Sequence, residues 1–345
     1  MPGTVVAIAD VETLAFEALA SAGAREEAAR SLARAVAAAE ADGLPSHGLA
    51  YVPTYCEHLR CNKVNGKAVP TVSRPKPSVI VVDAKSGFAH PAIDAGFQQL
   101  LPAAREQGVA VLAIRNSYNC GVLGYHTERI AQAGLIGLGF THAPASIAPV
   151  GGRRPVFGTN PISLAVPDGA GGAAICIDQS ASVIAKSEIM RRKRAGETIP
   201  VGWAFGPDGK STTDPDLALK GTMAPAGGYK GVGVALMVEV MAAAASGAVL
   251  SIDASPFSGP AGGPPRTGQF FVAIDAETTS GGLFGDRIAS LLTAIEEQEG
   301  VRLPGSRRAA ARRKAEELGV AIRRDLVEQV RAGIRSATAP EHSPT

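Results

Sequence analysis

The chain has 345 residues, 46% of them hydrophobic, enough for one large domain or two to three lobes with real cores. A formal net charge of +2 excludes a nucleic-acid partner recruited by bulk electrostatics. No apolar run approaches a membrane span, no basic-then-apolar leader is present, and Cys56, Cys61, Cys120 and Cys176 lack CxxC spacing, so the sequence predicts a cytoplasmic protein with reduced thiols, no metal site and no membrane partner.

Residues 10–42 read as two Ala-rich helices broken at Ser21-Ala22-Gly23, with apolar positions three and four apart. Helix and glycine turn (Asp42-Gly43) then lead to Ser46-His47-Gly48 before a helical pattern resumes through Leu59. A histidine held there can give and take a proton near neutrality, whereas the plainer reading is a capping or packing histidine. A proline-spaced passage, Pro70 to Pro77, precedes a β-branched strand at Ser78–Asp83, and Pro91 suits the first turn of a helix ending near Glu106. Gly108–Ile114 reads as a strand buried on both faces, followed by a helix to Ala133 and a third strand at Leu135–Thr141, a strand–helix–strand unit of α/β type.

Residues 142–161 are rich in turn formers, and strands follow at Ile162–Val166 and Ala173–Asp178, with a helix from Val183 to Arg194. A loop-rich passage leads to Gly227-Gly228-Tyr229-Lys230-Gly231 at the head of an apolar helix, Val232–Ala245. A strand at Gln269–Asp275 and a helical, charged tail from Asp286 complete the order. The expected division is a helical N-terminal region carrying the histidine (1–75), an α/β core (76–285), a helical C-terminal region packing back on the N-terminal part (286–338) and a disordered tail (339–345). The arginine groups at Arg191–Arg194 and at Arg307, Arg308, Arg312 and Arg313 fall on helical segments and read as solvated faces.

No GxGxxG follows any strand, which closes the Rossmann route to a dinucleotide. The glycine-rich helix entry at 227–231 offers N–H groups, a positive dipole end and a lysine to a phosphate, though it reads equally as an ordinary helix start. Arg153 and Arg154 could serve a phosphate or a carboxylate. Asp178, ending an apolar strand, needs a cationic or N–H partner: paired with His47 it would raise the imidazole pKa, and alternatively it caps the helix that follows.

Ser46-His47-Gly48, Asn116-Ser117 through Gly121, Gly134–Gly137, Ala148-Pro149 with Gly151-Gly152, Gly158-Thr159-Asn160-Pro161, Asp178 with Ser182, Gly227–Gly231 and Val301–Gly305 together resemble the malate/L-lactate dehydrogenase family. That family is distinct from the Rossmann-type lactate enzymes and includes ureidoglycolate and sulfolactate dehydrogenases and cyclic-imine carboxylate reductases. The resemblance implies a non-Rossmann α/β fold of malate/L-lactate (sulfolactate) dehydrogenase type, a mixed sheet with helical N- and C-terminal regions, a homodimer, and NADH or NADPH bound between lobes. It implies His47 as proton donor and Asp178 as its orienting partner. It also implies cofactor contacts at His47, Ser117, Asn119, Gly158, Thr159, Asn160, Asp178, Ser180, Ser182, Lys186, Gly228 and Lys230. The substrate shell would hold Ser46, Tyr51, Asn119, His142 and Arg153.

Three departures fall in that shell. The family's SHGxxR has an arginine where this chain has Tyr51, its NSxHFG a second histidine where this chain has Asn119, and its usual asparagine after the third strand is His142 here. The expected reaction is hydride transfer between a nicotinamide and C2 of a 2-oxo/2-hydroxy acid. Alternatives are reduction of a cyclic imine carboxylate, suggested by Gly87-Phe88-Ala89-His90-Pro91, and a catalytically silent cofactor-binding dimer.

Overall fold

Alanine builds the N-terminal helices, because it fits a helix at least cost and lets neighbouring backbones approach closely. The computed structural model describes residues 3–338, so the tail expected at 339–345 lies outside the described residues. β1 (Gly3–Val6) precedes α1 (Ile8–Ser21) and α2 (Glu26–Ala41), which pack together over Leu14, Leu19, Leu32 and Val36. A 3₁₀ turn at Leu49–Tyr51 then enters α3 (Val52–Arg60), with proline in its first turn.

The core follows as β2 (Thr71–Lys76), β3 (Val79–Asp83), α4 (Ala89–Gln107), β4 (Val109–Ser117), α5 (Leu123–Gln132), β5 (Ile136–Thr141), β6 (Ile162–Pro167) and β7 (Ala173–Gln179). Next come α6 (Lys186–Arg194), β8 (Ala204–Phe205), α7 (Pro215–Lys220), β9 (Thr222–Met223) and α8 (Tyr229–Val238), which runs on into a π-helical turn at Glu239–Ala244. The remainder is β10 (Thr267–Ile274), α9 (Ala276–Ser280), α10 (Phe284–Glu296), α11 (Ser306–Leu318), β11 (Val320–Arg323) and α12 (Arg324–Thr338).

Seven strands form one sheet in the order β2-β3-β4-β10-β5-β6-β7. Only β3 and β4 run parallel. β10 slots between β4 and β5 and is antiparallel to both, so β4–α5–β5 is not the adjacent parallel crossover of a Rossmann unit. The paired stretches Val109–Ile114 of β4 and Phe270–Ile274 of β10 are apolar because both sheet faces are covered. Ile80, Leu100, Leu112 and Phe271 pack beneath α4 and α5, and Phe140, Val238, Ala242 and Phe270 pack on the α8 side. The N- and C-terminal segments of the described residues meet: β1 pairs antiparallel with β11, α12 lies on α1 and α3, and α11 lies on α2.

The mixed α/β architecture with helical ends agrees with the expected fold class. Local differences have simple causes. The proline-spaced passage is β2, an edge strand whose register shifts between Ser73 and Lys76, where Pro75 forfeits no ladder bond. β1 and β11, of four residues each, are too short to show a period. α6 starts at Lys186 rather than Val183, since Ala185 is extended (φ −70°, ψ 140°) and the Val183 N–H donates to Ala224 O at 2.9 Å. Among the described residues, no helix is long and apolar enough to cross a membrane.

Candidate active site

His47 sits on the turn between α2 and the 3₁₀ segment. Its own N–H donates to Leu44 O at 3.0 Å, and the Tyr51 N–H donates to Gly48 O at 3.0 Å. Beneath the turn lies the buried Glu40, whose Oε1 accepts the Leu49 N–H at 2.7 Å. Gly48 leaves room for it, since a Cβ there would lie 2.3 Å from Glu40 Oε1 and the Glu40 side chain would have to move. Burial, only partly offset by that N–H, holds the Glu40 carboxyl above its ordinary pKa. The imidazole is half-buried, and its Nδ1 lies 3.0 Å from Ser46 Oγ. When the Ser46 hydroxyl is the donor, the ring carries its proton on Nε2.

Asp178 is the last residue but one of β7 and neither caps α6 nor hydrogen-bonds the imidazole. Its Oδ2 accepts the Gly124 N–H at 2.9 Å, in the first turn of α5, where orphan N–H groups and the helix dipole favour an anion. The same oxygen accepts from Arg308 Nη1 at 3.2 Å. Among the described residues no hydrogen bond joins Asp178 to His47. The His47 pKa is pushed below its ordinary value, first by burial and then by the Arg308 charge, with Asp178 opposing. Asp178 does raise it, as expected, but burial outweighs that carboxylate and Arg308 works against it, so the imidazole lies below rather than above its ordinary pKa.

Of the arginine group read as a solvated face, Arg307 and Arg313 are exposed, whereas Arg308 and Arg312 are half-buried and paired. They lie one turn apart on α11. Arg312 binds Asp42 bidentately, at 2.8 and 3.0 Å, and Glu128 at 2.7 Å. The clasp ties α11 to the end of α2, just before the His47 turn, and to α5.

Tyr51 lies in a ring cluster with Tyr55, Phe88, Tyr118 and Phe257. Its hydroxyl donates to Phe257 O at 3.2 Å, with Asn119 and Tyr118 also in reach. Asn119 Oδ1 accepts the Gly121 N–H at 2.6 Å, closing the loop between β4 and α5. Phe257 belongs to a strap, residues 251–266, without helix or strand. The strap is tied to α3 and the turns on either side of it through alternate carbonyls. Phe257 O takes Tyr51, Gly259 O takes His58 Nε2 at 3.1 Å and Lys63 Nζ at 2.8 Å, and Ala261 O takes Lys63 at 2.6 Å. His58 Nδ1 also bonds the Tyr118 hydroxyl. Sequence reasoning missed Lys63, whose full burial leaves no mark in a polar turn, together with His58 and the strap.

The segments expected to line a cofactor cleft are adjacent. The Ala181 N–H donates to Thr159 O at 2.8 Å, the Ala226 N–H to Ala181 O at 2.8 Å, and Ser182 bridges Pro225. Ser182 Oγ is 3.0 Å from Ser180 Oγ. Gly227 and Gly228 have positive φ, and both are exposed with Lys230 at the start of α8. Lys186 opens α6 and, with Lys220 and Ser146, lines a cavity of about 170 Å³; desolvation holds its ammonium below its ordinary pKa. Ser117 is buried, and Gly158 is buried against Ala143 O.

Three expected site residues are occupied elsewhere. The Asn160 side chain is fully buried, accepting the Ala143 N–H and donating to Ala235 O and Glu239 Oε2, both at 2.9 Å. His142 is buried against Glu239 on the α8 side of the sheet, with Nδ1 accepting the Gly268 N–H at 3.2 Å, so its ring does not join His47. Arg153 is exposed against Gly209 and touches neither His47 nor Asp178.

A profile of the malate/L-lactate dehydrogenase family matches residues 6–331. The chain is 43% identical over 328 residues to a (2R)-3-sulfolactate dehydrogenase (NADP(+)) of Chromohalobacter salexigens, covering 95% of this chain and 97% of that protein. It is 38% identical over 330 residues to a Δ1-pyrroline-2-carboxylate reductase of Ancylobacter novellus, covering 95% and 96%. The crystal structure of Δ1-piperideine-2-carboxylate reductase from Pseudomonas syringae superposes with a TM-score of 0.91 at 33% identity, covering 96% of this chain and 99% of that one. With matches spanning nearly its whole length, the chain belongs to the malate/L-lactate dehydrogenase family and is an oxidoreductase of that family.

Proposed function

We propose that the protein catalyses NAD(P)H-linked hydride transfer at the carbon α to a carboxylate, interconverting a 2-oxo acid and a 2-hydroxy acid with His47 as general acid and base. The observation that carries this reading is the half-buried imidazole beside Asp178 and Arg308, at the strand end that continues into Ser180 and Ser182. The residues fit a dinucleotide. The first-turn N–H groups of α8 follow two exposed glycines, Lys230 stands in that turn, and Lys186 and Lys220 flank a cavity suited to the extra phosphate of NADPH. The nicotinamide, when bound, supplies or accepts the hydride.

Below its ordinary pKa, His47 is neutral at neutral pH and ready to take the proton of a 2-hydroxyl group. The reverse reaction needs the imidazolium, so reduction fades as pH rises through the depressed pKa. Asp178 opposes the burial penalty on that cation. The Tyr51 hydroxyl, committed to Phe257 O, is a poor carboxylate anchor, and its ring forms part of an aromatic wall. That wall favours a second reading, a cyclic imine carboxylate as substrate.

A homodimer is the assembly that suits the surface. Tyr229, Leu236, Met237 and Val240 are 69, 49, 42 and 49% exposed along α8 and its π turn, and α10 buries no residue within the chain. The deciding experiment follows reduced nicotinamide, as NADH and as NADPH, against a panel of 2-oxo acids and cyclic imine carboxylates, with analytical ultracentrifugation of the same sample. Turnover of a 2-oxo acid supports the first reading, and turnover of cyclic imines alone supports the second. Cofactor binding without turnover of either class refutes both and leaves the silent dimer.

A further inference from the structure

Asp178 receives both of its donors on one oxygen. The Gly124 N–H and Arg308 Nη1 meet at Oδ2, while Oδ1 has no hydrogen-bond partner among the described residues. The pair is sheltered, the Arg308 and Asp178 side chains being 20% and 11% exposed. Gly124 makes the approach possible, because a Cβ there would lie 2.6 Å from Arg308 Nη1 and 2.9 Å from Asp178 Oδ2. Arg312, one turn along the same helix, fixes α11 so that Arg308 arrives at this spot.

We propose that Arg308 is the positioning residue of the proton-transferring pair: it clamps Asp178 onto the first turn of α5 and sets how much of that carboxylate's charge reaches His47. The proposal rests on the reading of His47 as the acid and base. The charged groups around the His47 turn are Asp178, Arg308, the buried Glu40 and the closed set of Asp42, Glu128 and Arg312. In that last set, one guanidinium is shared by two carboxylates. Asp178 and Arg308 act on His47 in opposite senses, so the imidazole feels an opposed pair rather than a lone anion. Removing either member unmasks the other. A lone Asp178 would favour the imidazolium more than the pair does, and a lone Arg308 would disfavour it more.

The test is the titration of the His47 imidazole by NMR in the full chain, with its signal assigned by its loss in His47→Asn. Arg308→Gln should move the midpoint up by roughly a pH unit, Asp178→Asn should move it down, and Arg308→Lys should return it toward wild type. An unmoved midpoint in a folded Arg308→Gln variant overturns the proposal and leaves Arg308 a structural tie. If that variant does not fold, the same quantity is the difference between Asp178→Asn and the charge-free double variant Asp178→Asn/Arg308→Gln. Equal midpoints in those two overturn it as well. Turnover is not needed for this readout. A midpoint that moves while the pH profile of turnover stays fixed therefore supports the charge network and refutes His47 as the acid.

Discussion

Replacing Arg312 with methionine removes the guanidinium that holds Asp42 and Glu128 and keeps the aliphatic volume. The two carboxylates are 3% and 11% exposed, and Arg312 is 32% exposed. Breaking a fully buried ion pair by deleting one partner costs about 3–5 kcal/mol, because a charge is left without compensation. Arg312 is about a third exposed, so solvent screens part of the interaction, and the expected loss is about 2–4 kcal/mol. With an m-value of about 3 kcal/mol per M for a chain of this size, the urea midpoint should fall by about 1 M. The loss has a pH signature. Burial already holds the Asp42 pKa above its ordinary value against the pull of Arg312, and without Arg312 it climbs further. A carboxyl whose folded pKa exceeds its unfolded one gives stability that is present below the unfolded pKa and lost as pH rises through the folded one. The deficit of Arg312→Met should therefore be full near pH 8 and shrink toward pH 5. Adding Asp42→Asn and Glu128→Gln should recover much of it at pH 8. A deficit under about 1 kcal/mol, or one as large at pH 5 as at pH 8, would refute the reasoning, since either outcome means that the carboxylates do not depend on this cation.

His47→Ala should lower kcat by about 10²–10⁴-fold with cofactor affinity near wild type, and an alanine variant that keeps most of its turnover removes His47 from the chemistry. Lys63→Met leaves the Ala261 carbonyl without a donor and Gly259 O with His58 alone, so the strap should lose about 1–3 kcal/mol of local stability; faster amide exchange confined to residues 251–266 is the expected sign, and unchanged exchange there counts against the latch. Tyr51→Phe removes the bond to Phe257 O and should cost only about 0.5–1.5 kcal/mol, with KM for small 2-oxo acids nearly unchanged; a large rise in that KM would mean that the hydroxyl binds substrate after all.

His47 and Asp178 stand out in the chain as candidates because each carries a local mark, a histidine in a glycine turn and a carboxylate near the end of an apolar strand. Their electrostatic environment does not. Arg308 and Arg312 look like a charged helix face because the carboxylates they meet lie 130 and 270 residues away in the chain for Asp178 and Asp42. An i,i+4 arginine pair has the same spacing whether it faces water or another helix. The sheet was hidden for a related reason: β10 joins β4 and β5 from more than a hundred residues downstream, and a hydrophobic run does not name its neighbours. Asn160 and His142 mark the opposite limit. Their motifs match a cofactor-lining and a substrate-facing position, yet Glu239, in the π turn after α8, draws both side chains into the core. Position in a motif fixes where the backbone runs. Which way a polar side chain turns is decided by the partner that tertiary packing supplies, and the environment of His47 comes the same way: burial sets the sign of its pKa shift, Asp178 opposes it, and an arginine of α11 adds to it.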